Sequence, residues 1–503
     1  GSDADETREF NLNTKQWVKN GFYRPESKGA MSWKNSNEVY VYSDFGEGSM
    51  TSSGYPRTAK LWQRGTPLAQ AKIIYEGSDD DMYIAAYHDD SKGFERDFVS
   101  RTIAFYNDEL LLIKPDGKLV KIEAPNSAQK NVHNQYLLLE LREELNVNGN
   151  TYSAGSLLAT DFEKYMRGER DFTVLFAPSI TTSLAGYSWT QNYLFLNVLD
   201  DVKNKISVLD PSNKWQSTKL IGAPSIGTLA ITAVDSDDTD DYFLTVTDYL
   251  TPTTLMLGAV GSAPENLKQL PNFFDASHHQ ITQSFVVSKD GARVPYFMVS
   301  AKNLVKEGKN PTLLYGYGGF EISLTPNYSA SVGRAWLSQG GVFVVANIRG
   351  GGEYGPRWHQ AALKENRLRA YEDFAAVAQD LIAQKITTPK HLGIQGGSNG
   401  GLLVGNMLVM YPKLFNAVVC QVPLLDMKRY HKLLAGASWM AEYGDPDSSD
   451  WEYIQTFSPY QNLKQDANYP VVLFMTSTRD DRVHPGHARK MMARMQEQGH
   501  RVW

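Results

Sequence analysis

Along the first half of the chain, apolar residues come in runs of four or five, and each run ends at a turn signal. Glu38-Val39-Tyr40-Val41-Tyr42, Leu110-Leu111-Leu112-Ile113, Tyr136-Leu137-Leu138-Leu139, Tyr193-Leu194-Phe195-Leu196 and Tyr242-Phe243-Leu244-Thr245-Val246 read as short strands. Pro115-Asp116-Gly117-Lys118 and Asn146-Val147-Asn148-Gly149 supply turn chemistry between them. Helical periodicity is nearly absent. Strands at this density predict a sandwich, a barrel or a propeller. At about 40–50 residues per four-stranded blade, residues 1–272 would make roughly five or six blades, although no crisp repeat marks them.

From about residue 280 the pattern changes to strands alternating with helices. Strands are predicted at Val294 to Val299, Thr312 to Tyr315, Gly341 to Ala346, Leu392 to Gln395, Ala417 to Gln421 and Val471 to Met475. Helices are predicted at Tyr371 to Gln384, Asn399 to Met410 and Pro485 to Gln498. This alternation implies a mostly parallel sheet covered on both faces. The boundary falls near Asp275 to His279, before a hairpin that holds Lys289-Asp290-Gly291. The expected division is therefore an all-β domain over 1–272 and an α/β domain over 280–503.

Length agrees with that division, since 503 residues exceed one ordinary core. The content is 42% hydrophobic and 21% charged, which reads as a globular chain, and no apolar run approaches the ~20 residues of a membrane span. A net charge of −6 gives no electrostatic reason to expect nucleic acid or an anionic membrane as partner. Acidic clusters such as Ser78-Asp79-Asp80-Asp81 and Ser236-Asp237-Asp238-Thr239-Asp240-Asp241 read as solvated turns. The single cysteine, Cys420, lies in an apolar run and reads as a buried structural thiol. A reducing cytoplasm and a periplasm are both compatible with it. Gly1 to Arg8 is polar and carries no signal-peptide core.

The sharpest local motif is Gly396-Gly397-Ser398-Asn399-Gly400-Gly401. It fits the G-x-S-x-G pattern, with the apolar strand Leu392-Gly393-Ile394 before it and an apolar helical run from Leu402 after it. That setting places Ser398 on a strained turn, with helix amides aimed at the charge that develops in acyl transfer. An oxyanion site needs a second donor. Leu313-Leu314-Tyr315-Gly316-Tyr317-Gly318-Gly319-Phe320 follows an earlier strand, so the Asn399 amide and the Tyr317 hydroxyl are the candidate donors. The triad acid should follow a later strand, Val471 to Met475, which points to Asp480 or Asp481. Nothing in this chemistry requires a metal or a cofactor.

Taken together these motifs resemble the prolyl oligopeptidase family, a β-propeller joined to an α/β-hydrolase domain. The likeness runs along almost the whole chain. It includes Ser53-Gly54-Tyr55-Pro56-Arg57, Arg64-Gly65-Thr66-Pro67-Leu68, Leu250-Thr251-Pro252-Thr253-Thr254, Asn347-Ile348-Arg349-Gly350-Gly351-Gly352-Glu353-Tyr354-Gly355 and Asp480-Asp481-Arg482-Val483. The resemblance implies a serine endopeptidase, monomeric when complete, that cleaves short peptides after proline. It implies Ser398 as nucleophile, Asp480 as triad acid, and Tyr317 with the Asn399 amide at the oxyanion. It assigns Trp439 to stacking on the proline ring, Phe320 and Tyr443 to the same pocket, and Arg482 with Val483 to peptide binding. An aromatic pocket suits proline, which offers a compact ring and no amide hydrogen. A pocket for Arg or Lys would need carboxylates, and Glu442 is the only acid between Trp439 and Gly444. A tryptic oligopeptidase, an exopeptidase, an esterase and a noncatalytic peptide-binding propeller are the alternatives.

The resemblance also implies a triad histidine on a loop after the strand that begins at Val502, and the sequence reaches Trp503. His431, His484, His487 and His500 read as surface or packing residues. Both domains are therefore expected to be partial, and the 503-residue polypeptide to be inactive.

Overall fold

The computed structural model describes residues 2–225 and 227–503. It divides into two compact units. The first contains Gly1–Leu175, Arg429–Asp445 and Ser477–His484, and the second contains Phe176–Lys428, Pro446–Thr476 and Pro485–Trp503.

In the first unit, four-stranded sheets follow one another along the chain, over residues 30–76, 83–121 and 129–176, the last strand running one residue past the unit. A small hairpin, Leu145–Val147 with Asn150–Tyr152, is inserted in the third. Their central strands are apolar at consecutive positions because each sheet is covered on both faces. Tyr40 packs with Ala59, Ile84, Ala86 and Val99, while Val39 and Val41 on the opposite face pack with Phe22 and Trp62. Phe98, Leu110 and Leu112 meet Leu137, Leu139 and Phe162. The helix Phe162–Met166 is capped by Asp161, whose side chain accepts from the Lys164 amide.

The second unit opens with two more such sheets, over residues 182–219 and 228–269 among the described residues. Their shared core is Phe195, Ile206, Val208, Leu229, Tyr242 and Leu244. These sheets are the blades of an N-terminal β-propeller domain, and an α/β-hydrolase domain follows them.

The α/β sheet has seven strands: β1 (His279–Val287), β2 (Arg293–Ala301), β3 (Thr312–Tyr315), β4 (Val342–Ala346), β5 (Leu392–Gly397), β6 (Ala417–Gln421) and β7 (Val471–Met475). They lie in the order β1-β2-β4-β3-β5-β6-β7. The hairpin β1–β2 and the β2–β4 pair are antiparallel, and every later pair is parallel. Three helices matter for the site: α1 (Leu368–Ala383), α2 (Asn399–Met410) and α3 (Gly486–Glu497). Helix α1 buries Ala370, Tyr371, Phe374, Val377, Ala378 and Leu381 at helical spacing, with a polar outer face. Helix α2 is buried from Asn399 to Leu408, which is why its sequence is apolar all round. It packs over β6, where the Cys420 thiol is sealed from water against the Gly401 carbonyl at 3.4 Å. Val502 makes a parallel bridge with Val472, and the Phe474 amide donates to the Trp503 carbonyl. Among the described residues, no helix is long and apolar enough to cross a membrane.

Candidate active site

Strand β5 ends on two glycines. A side chain at Gly396 would bring its Cβ to 2.2 Å from the Gly400 carbonyl oxygen, so the backbone folds back on itself here only without one. Ser398 then adopts φ 57° and ψ −118°, outside the ordinary range of an L-residue, at a typical cost of order 1–3 kcal/mol. The turn is held by its amide on the Gln421 carbonyl at 2.9 Å, and by the Gly401 and Leu402 amides on its own carbonyl at 2.9 and 3.1 Å. Helix α2 opens at the next residue, so a positive helix terminus follows the serine directly. Ser398 is half-buried. Within its unit, no side chain of the described residues hydrogen-bonds to its hydroxyl.

The loop after β3 lies against this turn. Gly318, Phe320 and Glu321 all have positive φ, between 54° and 65°. A Cβ on Gly400 would sit 2.8 Å from the Gly316 oxygen, and one on Gly319 would sit 2.4 Å from Asn399 Nδ2. The fully buried Asn399 side chain joins the two segments, since its Nδ2 donates to the Tyr317 carbonyl at 2.7 Å. Its Oδ1 accepts from Arg367 Nη2. Ser398, Asn399 and Tyr317 are thus brought together, with Phe320 three residues along the same loop.

A third segment, the loop after β4, backs the second. Arg349 anchors it, donating to Asp373 of α1 at 2.7–3.0 Å and to Asp290 of the β1–β2 turn at 2.6 and 2.8 Å. Glu353 Oε1 accepts from the Leu324 amide at 3.0 Å and from Asn347 Nδ2 at 3.1 Å. Its Oε2 is buried without a partner among the described residues. Burial pushes this carboxyl up to about 7, against the pull of those two hydrogen bonds.

The other candidate residues belong to the first unit. Trp439 closes the 3₁₀ segment Leu434–Trp439 and is 7% exposed. Tyr443 is fully buried and meets Tyr430 edge to face at 5.5 Å. Between them Glu442, with no exposed surface, accepts from the Tyr106 hydroxyl at 2.6 Å. The Arg142 guanidinium lies 4.1 Å over the Tyr106 ring. Burial and then the Glu442 carboxylate push the Tyr106 phenol well above its ordinary value, so it stays a donor. The two aspartates after β7 differ in their surroundings. Asp480 accepts from the Arg482 and Val483 amides at 3.1 and 2.9 Å. Asp481 accepts from the Asp3 amide and the Ser2 hydroxyl at 2.9 and 2.8 Å, with Lys28 at 3.7 Å. Partial burial raises the Asp481 carboxyl, but these partners together hold it below the usual range. Arg482 is exposed, with Asp3 at 3.9 Å, and Val483 is buried.

Comparison with known proteins follows the same division. The profile of the prolyl oligopeptidase family matches residues 328–502, and that of the prolyl oligopeptidase N-terminal beta-propeller domain matches residues 1–257. The chain belongs to the prolyl oligopeptidase family. An uncharacterized peptidase of Sinorhizobium fredii is 41% identical over 99% of this chain and 70% of its own length. A prolyl endopeptidase of Elizabethkingia miricola is 37% identical over 60% of this chain and 43% of its own. The solved structure of a post-proline cleaving enzyme from Rickettsia typhi superposes with a TM-score of 0.93 and 33% identity, over 100% of this chain and 76% of that one. This member of the prolyl oligopeptidase family is accordingly a peptidase by descent.

Two residues that support the site escape a reading of the sequence. Arg367 sits in the polar run Lys364-Glu365-Asn366-Arg367 and looks solvated, yet it is 1% exposed. Glu353 lies within the glycine-rich run Asn347 to Gly355, but nothing in its neighbours signals a buried carboxyl.

Proposed function

We propose that the function encoded in this chain is that of a serine endopeptidase that cleaves short peptides on the carboxyl side of proline through an acyl-enzyme. Ser398 is the nucleophile, and its strained backbone at the head of α2 is the observation that carries the reading. The Asn399 amide and the Tyr317 hydroxyl stabilise the oxyanion. Asp480 orients the base, a role supported by its two amide hydrogen bonds, whereas Asp481 is engaged by Ser2, Asp3 and Lys28. Trp439, Phe320 and Tyr443 line the proline pocket, and Arg482 and Val483 hold the peptide. Proline is favoured over a basic side chain because Glu442, the one acid of the Trp439 segment before Gly444, is committed to Tyr106. The names of the Elizabethkingia and Rickettsia relatives support the same preference.

The 503-residue polypeptide itself turns peptides over slowly. His487 is buried with Nδ1 accepting from the Leu425 and Asp426 amides, and His500 is engaged with the Lys464 carbonyl, which supports neither as base. Without a base, catalysis should fall to roughly 10³–10⁴-fold over water. The test is a pair of measurements on the 503-residue protein. A peptide ending in proline should bind at least about tenfold more tightly than its alanine analogue, and Trp439→Ala should erase the difference. A preference untouched by that substitution would end the proline assignment. Efficient turnover of a proline-linked chromogenic peptide, abolished by Ser398→Ala, would show that a histidine of this chain serves the serine.

A further inference from the structure

We propose that Arg367 is a positioning residue for the oxyanion site, acting through the side chain of Asn399; the inference rests on the roles given above to Tyr317 and Asn399. Arg367 lies between the single turn Lys364–Asn366 and helix α1, and its side chain is sealed from water. A guanidinium only donates and stays charged at any pH a protein survives. It donates to Asn399 Oδ1 and, at 3.4 Å, to the Ala362 carbonyl.

The consequence lies in the choice between the two orientations of the Asn399 amide. With Oδ1 toward Arg367, the NH₂ group faces the Tyr317 carbonyl at 2.7 Å, and both contacts are hydrogen bonds. Turned over, the amide would set NH₂ against the guanidinium and oxygen against the carbonyl, losing both bonds and opposing like poles. The fixed positive charge of Arg367 therefore selects the orientation that clamps Tyr317. A charge-assisted bond to Oδ1 also polarises the amide and strengthens donation from Nδ2.

The clamp connects the two oxyanion donors themselves. One is the backbone amide of Asn399, and the other is the hydroxyl of Tyr317, whose own carbonyl is the clamped atom. Gly319 and Gly400 allow the close approach, since a Cβ on either would strike Asn399 Nδ2 at 2.4 Å or the Gly316 oxygen at 2.8 Å. The Tyr317 loop takes left-handed conformations at three of the four residues 318–321, so it depends on such an external tie for its register. Releasing the tie shifts a donor relative to the serine, and displacements near 1 Å can cost up to about 100-fold.

A reversible aldehyde reports on this without needing a base at equilibrium. When a peptide ending in prolinal binds, the Ser398 oxygen bonds to the aldehyde carbon. The carbonyl π pair moves to oxygen, and the hydroxyl proton ends on the hemiacetal oxygen. The matching prolinol peptide binds the same pocket but forms no such bond. The ratio of the two Kd values in the 503-residue protein should favour the aldehyde by about 100-fold. Arg367→Met should lower that ratio at least about tenfold while the prolinol Kd stays within about threefold. Arg367→Lys should restore part of it. Asn399→Asp keeps a partner for Arg367 but opposes a carboxylate oxygen to the Tyr317 carbonyl, and should lose the ratio as Arg367→Met does. This second variant decides the matter if Arg367→Met fails to fold. An unchanged ratio in either folded variant overturns the inference. A parent protein that binds aldehyde and alcohol equally, or a preference that survives Ser398→Ala, overturns the reading of the site and this inference with it.

Discussion

Glu353 gives up its hydration for two hydrogen bonds to one oxygen, while the other has no partner among the described residues, and this sets a pH dependence that can be isolated. Its carboxyl titrates at about 7 in the fold against 4.5 ordinarily, because burial favours the neutral form. A raised value means that its stabilising contribution is fully present below about pH 4.5 and is lost as pH rises through about 7. The gap corresponds to about 3 kcal/mol at 1.36 kcal/mol per unit. Glu353→Gln keeps an acceptor for Leu324 and Asn347 and cannot ionise. Urea unfolding at pH 5 and pH 8 should therefore show a fall in stability for the parent that is smaller in Glu353→Gln by about 2.5 kcal/mol, since part of the loss has already occurred at pH 5. An equal fall in both proteins would mean that the carboxyl is not held neutral. At this scale the sequence shows Ser398, because an elbow is defined by adjacent residues. It hides Glu353 and Arg367, because their partners lie 29 and 32 positions away and a charged letter alone does not reveal burial.

Strands and helices were the most legible level. Thr312–Tyr315, Ala417–Gln421, Val471–Met475 and Asn399–Met410 begin and end where the pattern predicts them. Helix α1 begins at Leu368 rather than at the expected Tyr371, because a single turn over Lys364–Asn366 leads into it and its buried Arg367 reads as surface. In the first half, each apolar run predicts a strand but not which sheet it joins, since every blade uses the same pattern. Glycines separate the elements that can tolerate a side chain from those that cannot. At Gly396 an added Cβ meets backbone at 2.2 Å, and Gly396→Ala should destabilise by about 3 kcal/mol or more and disorder the Ser398 turn. At Gly117, φ is 82° and nothing lies within 4 Å, so Gly117→Ala should cost only the left-handed conformation, about 1 kcal/mol. Denaturant melts of the two variants check the contrast, and equal losses would refute it.

The whole molecule is where linear reading stops. The change of pattern near residue 275 is visible in the sequence, and the family profiles match on either side of it, at 1–257 and 328–502. The contact units do not follow that line. Residues 429–445 and 477–484 join the first unit, and the Tyr106–Glu442 bond that helps tie one of them spans 336 positions. Composition and periodicity cannot encode a pairing of that range, because each half satisfies its own local pattern without it. The one thiol of the chain makes the cohesion of the sheet measurable. Cys420 faces α2 from β6 with no access to water, and burial pushes its thiol far above the ordinary value. A thiol-directed dye should therefore react at least about 1,000-fold more slowly than with free cysteine in native buffer. Added urea should quicken it in step with unfolding, and rapid native labelling would contradict the packing. The chain thus carries its own clock for openings of the layer that holds the serine, and no probe has to be engineered into it.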